Sequence, residues 1–396
     1  MLRVSLAHCQ ERPLHSGDKI FAPMKQSSQA FALRINTILR ALFFLLASSI
    51  AITKIASADP PCADALAQHA VCAAANDEAA RLIAARHLAG AIVVQDVRTG
   101  ALVAFASVSA PPDSTAKNLD IDVTSPLLPL SLTKVLLAAS WWDHERQIAS
   151  AHRAAPIDVH EMLVTGSDSA GRLLANALRA AVGSQVALDD LNRFGFPPCP
   201  TDDAQKIDTS FWQTLTPQWQ ARLIPAAPCT NLSPDTGTSE WASALSIGES
   251  SFSVTLLHLS RFMQAIGNRG ILLQPAARDT ASAAPSANQS SSAKKIMEAS
   301  TASKLESAMI DNVERGTAKG VRGRLGPKWM MGGKTGTGPA DANPFDGCFA
   351  GLLFDDRRQA RYTVVAYIKR GGLGGGAAAE ISADLFKSIL GLQRGP

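Results

Sequence analysis

"AGAIVVQDVRTGALVAFASVS", residues 89–109, is the stretch on which the fold turns. Before it, over residues 63–87, the chain is alanine-rich with apolar residues at helical spacing, which predicts a helix. At Ala89 the period changes. Two β-rich runs flank Arg98-Thr99-Gly100, and the turn chemistry between them predicts a hairpin. Residues 109–128 are rich in Pro, Asp and Ser and read as a loop. A helical block then runs from about 132 to 274, clearest in "HEMLVTGSDSAGRLLANALRAAVG" (160–183) and "SVTLLHLSRFMQAIGNRG" (253–270). The low-complexity stretch 277–295 reads as a surface loop. Strand patterns return in "KWMMGGKTGTG" (328–338), "CFAGLLFDD" (348–356) and "RYTVVAYIKR" (361–370), with a charged turn at 355–358, and a helix over about 377–392 closes the chain. This order predicts an α+β fold: an antiparallel sheet flanked by helices, built from both ends of the chain, with an all-helical subdomain inserted. The sheet part takes about 59–118 and 296–396, and the helical part about 119–275.

The chain has 396 residues, 46% hydrophobic and 18% charged, with a formal net charge of +4. That is ordinary globular composition. No dense basic block alternates with aromatics, so nucleic acid is not an expected partner. Near the start, "RALFFLLASSIAITKIASA" sets the uncharged run 41–53 between Arg40 and Lys54. A membrane-spanning helix needs roughly 20 apolar residues. The run is shorter and suits the apolar core of a secretory signal, with Ala56-Ser57-Ala58 as the cleavage site. Residues 1–58 are therefore read as a signal peptide or a retained N-terminal anchor, with Met1 and Met24 as alternative starts. The remainder, 59–396, is expected to be exported, periplasmic or held at the outer face of the cytoplasmic membrane. In that setting Cys62–Cys72 and Cys199–Cys229 are candidate disulfides, although spacing does not fix the connectivity. Cys348, beside Phe349 and Ala350, reads as a buried small hydrophobe. No Cys-x-x-Cys or His-Glu-x-x-His pattern occurs, so neither a metal nor a cofactor is expected.

The chemistry is carried by three patterns in order. Ser-x-x-Lys occurs five times, at Ser16, Ser114, Ser131, Ser291 and Ser292. Only Ser131, in "PLSLTKVLLAAS" (129–140), opens an apolar run on which a helix can form, placing Lys134 one turn behind it. "TGSDSAG" (165–171) follows with Ser167 and Ser169, and "GGKTGTG" (332–338) with Lys334 in a β-rich run.

That ordered set resembles the transpeptidase domain of penicillin-binding proteins, particularly the class B type, in the superfamily that also holds serine β-lactamases and D,D-peptidases. The resemblance covers about residue 88 to the end, taking in "VQDVRTGALVAFAS", "LNRFGF", "SIGESSFSVTLLHLSRFMQAIGNRGILLQP" and "VERGTAKGVRG". It implies an acyl transfer in which Ser131 is the nucleophile, Lys134 its base, and Lys334 a second cation that helps neutralise Lys134. It further implies that Ser167 relays a proton to the leaving amine and that the N–H groups of Ser131 and Thr337 form the oxyanion hole, one such donor being worth ~3 kcal/mol. Lys334 and Thr335 would engage a substrate carboxylate, and Gly336 would let the substrate backbone lie against the strand. Two residues depart from the family pattern. Ser169 stands where an Asn is usual, removing a hydrogen bond worth about 1 kcal/mol, and Leu130 stands where a Gly usually precedes the nucleophile. The resemblance implies peptidoglycan stem peptides and β-lactams as ligands, with cell-wall synthesis proteins as partners. A D,D-transpeptidase is the leading expectation and a D,D-carboxypeptidase the close alternative. A serine β-lactamase is disfavoured because no Glu occurs between 162 and 239, and a non-catalytic β-lactam- or peptidoglycan-binding sensor is motivated by Ser169.

Overall fold

The computed structural model describes residues 62, 71–109, 121, 125–150, 157–199, 229–248, 251–274, 293–339 and 344–391, all within the unit Asp59–Pro396. The hairpin forms as its period predicts. β1 (Ala89–Asp96) and β2 (Leu102–Val108) pair antiparallel, and Asp96 Oδ1 accepts from the Arg98 and Thr99 N–H groups to shape the turn. Gly100 closes that turn at φ +73°, in the left-handed region that glycine enters at no steric cost.

The three C-terminal strands are β3 (Met330–Gly338), β4 (Asp346–Phe354) and β5 (Ala360–Lys369). The sheet order is β2-β1-β5-β4-β3, antiparallel throughout, so the two ends of the chain meet where β1 pairs with β5. Successive residues face opposite sides of a strand, and on β4 this splits Cys348, Ala350, Leu352 and Phe354 from Phe349 and Leu353. Both sets are fully buried, which is why β4 reads as continuously apolar rather than alternating.

One face is covered by α1 (Ala73–Ala84) and the closing helix α8 (Ala377–Ile389). The other carries the inserted helices: α2 (Thr133–Asp143), α3 (Val159–Thr165), α4 (Asp168–Val182), α5 (Thr238–Ile247) and α6 (Leu256–Gly267). α6 lies inside the molecule, so its polar side chains are paired rather than solvated. Ser260 Oγ bonds Gln95 and Thr363, and Gln264 Nε2 donates to the Val97 carbonyl.

Two features differ from the sequence reading. The 17-residue helix α7 (Ala299–Arg315) precedes β3, with Ala302, Leu305, Met309 and Val313 buried at helical spacing. Lys294–Lys295, assigned to a loop, pair instead with Ile271–Leu272. The expectations on 1–58, 63–70, 110–120 and 277–292 lie outside the described residues. Cys62–Cys72 and Cys199–Cys229 are disulfide-bonded, and Cys348 is free and buried. Among the described residues no helix is long and apolar enough to cross a membrane, and no cluster could hold a metal ion.

Candidate active site

Ser131 sits in the single turn Leu130–Leu132, which runs directly into α2. The turn is tightly held. Leu130 adopts φ +54° and is buried, a conformation that costs roughly 1 kcal/mol for a side chain with a Cβ. Two glycines admit it. A Cβ on Gly248, the left-handed cap of α5, would lie 2.3 Å from the Leu130 carbonyl oxygen, and one on Gly336 of β3 would lie 3.1 Å from Leu130 Cβ. Gly336 thus makes room for the turn that carries Ser131.

Lys134 is fully buried and its ammonium has three acceptors. Nζ donates to Ser131 Oγ at 2.9 Å, to Asp168 Oδ1 at 2.6 Å and to the Ser246 carbonyl in the last turn of α5. That helix C-terminus favours a cation. Burial lowers the Lys134 pKa from its ordinary value, the Asp168 carboxylate pulls it back up, and the Arg172 guanidinium lowers it further. A Cβ on Gly171 would lie 3.3 Å from Lys134 Cε, so this glycine lets α4 close over the lysine stem.

Lys334 lies on β3, the edge strand facing the helical region, and donates to the Thr335 carbonyl at 2.9 Å. It is buried, and burial with the nearby Lys134 charge pushes its pKa down to about 7. The two lysines are close enough for the charge of one to disfavour the charge of the other. Thr335 is buried, its hydroxyl 2.6 Å from that of Thr317, which is held in turn by Asn312 of α7. Thr337 is exposed at the end of β3 and accepts from the Gly374 N–H at 3.1 Å.

The second pattern is arranged differently from the expectation. Ser167 is the N-cap of α4, where its Oγ accepts from the Ala170 N–H at 3.2 Å and lies 3.1 Å from Ser169 Oγ. Neither serine bonds Ser131, Lys134 or Lys334. The residues that face the lysines are Asp168, on Lys134, and Gly166, whose added Cβ would lie 3.3 Å from Lys334 Nζ. Sequence reasoning missed Asp168, Ser246, Gly248 and the Asn312–Thr317 pair. Asp168 stood inside the quoted motif, where nothing in the sequence separates it from the serines on either side.

A serine at a helix start and two buried lysines thus lie beside the edge strand of a five-stranded antiparallel sheet. The D,D-transpeptidase domain of an Eggerthella lenta peptidoglycan glycosyltransferase superposes with a TM-score of 0.57 at 19% identity, over 80% of this chain and 81% of that one. Penicillin-binding protein A of Mycobacterium tuberculosis, solved as an imipenem acyl-enzyme complex, gives 0.60 at 16% identity, over 81% and 78%. At these identities the likeness is one of fold. Residues 228–390 match the family described as penicillin binding protein transpeptidase domain. Lys334, Thr335, Gly336 and Thr337 fall inside the match, while Ser131, Lys134 and residues 166–169 precede it. No match to the chain is found among curated proteins.

Proposed function

We propose that the protein is an exported, penicillin-binding D,D-transpeptidase-like acyl transferase that takes D-Ala-D-Ala stem peptides of peptidoglycan through an acyl-enzyme on Ser131. The observation that carries this reading is the 2.9 Å contact between Lys134 Nζ and Ser131 Oγ at the start of α2, beside Lys334. A neutral Lys134 takes the hydroxyl proton as the Ser131 Oγ–carbonyl bond forms. The C–N bond to the terminal D-Ala then breaks, and the departing amine takes up a proton. An acceptor amine then attacks the ester carbonyl, the carbonyl–Oγ bond breaks, and the proton the amine gives up returns through Lys134 to Ser131 Oγ as the cross-link forms. Lys334 and Thr335 are the residues that would engage a substrate carboxylate. The two disulfides agree with an oxidising compartment outside the cytoplasm.

Incubation with a fluorescent penicillin tests the reading. A covalent adduct is expected on the wild type and is expected to be absent from Ser131→Ala, with the modified peptide identified by mass spectrometry. Rapid loss of the adduct would mark a β-lactamase instead, and no adduct at all would overturn both. Release of D-Ala from a pentapeptide without cross-linking would identify the carboxypeptidase alternative.

A further inference from the structure

Three consecutive positions join α3 to α4, and each is committed to a different task. Gly166 ends α3 at φ +71° and presents no side chain to Lys334. Ser167 places its hydroxyl on the free N–H of Ala170, capping a 15-residue helix. Asp168 turns its carboxylate onto Lys134. The loop therefore sets a carboxylate on Lys134 and a bare backbone position beside Lys334.

An ammonium has three N–H donors and no acceptor, and the Lys134 surroundings match it donor for donor: Ser131 Oγ, Asp168 Oδ1 and the Ser246 carbonyl. A neutral amine has two donors and one lone pair. It fits the same cage only with Asp168 and Ser246 as acceptors and its lone pair turned to Ser131, which is the form that can take the serine proton. The charged groups facing Lys134 are Asp168 and Arg172 on α4 and Lys334 on β3. Of these only Asp168 favours the ammonium.

We propose that Asp168 is a positioning residue that holds Lys134 as an ammonium behind Ser131, so that acylation waits on release of the Lys134 proton. The proposal rests on the acyl-transfer reading for its consequence, not for its geometry. Acylation by a β-lactam then begins with loss of the Lys134 proton to solvent. The Ser131 Oγ–H proton passes to the neutral amine as the Oγ–carbonyl bond forms and the lactam C–N bond breaks. The freed nitrogen takes that proton and leaves Lys134 neutral. The rate is set by the fraction of Lys134 that is neutral, and it rises with pH until Lys134 has titrated.

Asp168→Asn keeps an oxygen for the hydrogen bond and removes the charge. In protein labelled with [ε-13C]lysine, the Lys134 resonance, assigned by its loss in Lys134→Met, is expected to titrate at least one pH unit lower in Asp168→Asn than in the wild type. Acylation of Ser131 by fluorescent penicillin at pH 7 is expected to accelerate about tenfold per unit of that displacement. The two rates should converge at alkaline pH. Should Asp168→Asn melt early, Asp168→Ala serves in its place, with the same displacement expected. A Lys134 midpoint that does not fall in a folded variant overturns the proposal. So does a falling midpoint with a slower rate at pH 7. If the midpoint falls but neither protein forms an adduct, control of Lys134 by Asp168 stands and the acyl-transfer reading fails.

Discussion

The two lysines are expensive residues to place, because each is a cation removed from water. They solve the problem differently. Lys134 keeps a carboxylate partner at 2.6 Å and a carbonyl at a helix C-terminus. Lys334 has one carbonyl, that of Thr335, and is pushed down to about 7 by burial and the Lys134 charge. The consequence for stability has a definite sign. Between about 7 and the ordinary lysine value of 10.5 the unfolded chain binds a proton that folded Lys334 does not. Unfolding free energy therefore rises with pH across that window, and the penalty is full below it. Lys334→Met removes the contribution. Urea unfolding of wild type and variant is expected to diverge by roughly 3 kcal/mol or more at pH 6 in favour of the variant, with the gap closing by pH 10. A gap that does not change with pH would mean that Lys334 is charged in both states.

At the scale of elements, the loop between α3 and α4 shows how a helix start reassigns a motif. Ser-x-polar read as a string puts Ser167 and Ser169 in the site. The fold also uses Ser167 on the backbone, because the first turn of α4 has unsatisfied N–H groups and serine is among the best residues to accept from them. Ser167→Ala is accordingly expected to cost about 1 kcal/mol in denaturant unfolding, a loss that Ser167→Asp should largely avoid. The hairpin and the strands of the sheet were legible because each rests on local periodicity, and β1 to β5 follow the patterns in residues 89–108 and 330–369 closely. Ser131 was legible because an apolar helix follows it. What the string does not carry is which of three neighbouring side chains faces inward. A one-residue shift at a helix start rotates that choice by about 100°. Asp168 and Gly166 could be found only once α4 had a beginning. The same limit hid Gly248, whose task depends on Leu130, far away in sequence.

On the scale of the whole molecule, the sheet joins β1, β2 and the last three strands across an inserted helical region, so its core forms only when both chain ends are present. The disulfides reinforce particular places in that plan. Cys62–Cys72 closes a separation of 10 residues at the start of α1, where the Cys72 N–H also donates to the Val103 carbonyl of β2. Cys199–Cys229 closes a separation of 30 residues across the helical part. If cross-links act mainly by restricting the unfolded chain, the longer closure stabilises more, by about 1 kcal/mol. Cys348 does not interfere with this comparison. It is buried on β4 and its thiol is pushed up to about 12, so it supplies almost no thiolate for exchange at neutral pH. Replacing the Cys199–Cys229 pair by serines is expected to lower unfolding free energy by roughly 3–4 kcal/mol and the Cys62–Cys72 pair by about 1 kcal/mol less. The reverse order would mean that Cys62–Cys72 acts through the folded state, by pinning α1 to β2 over the core that α8 completes.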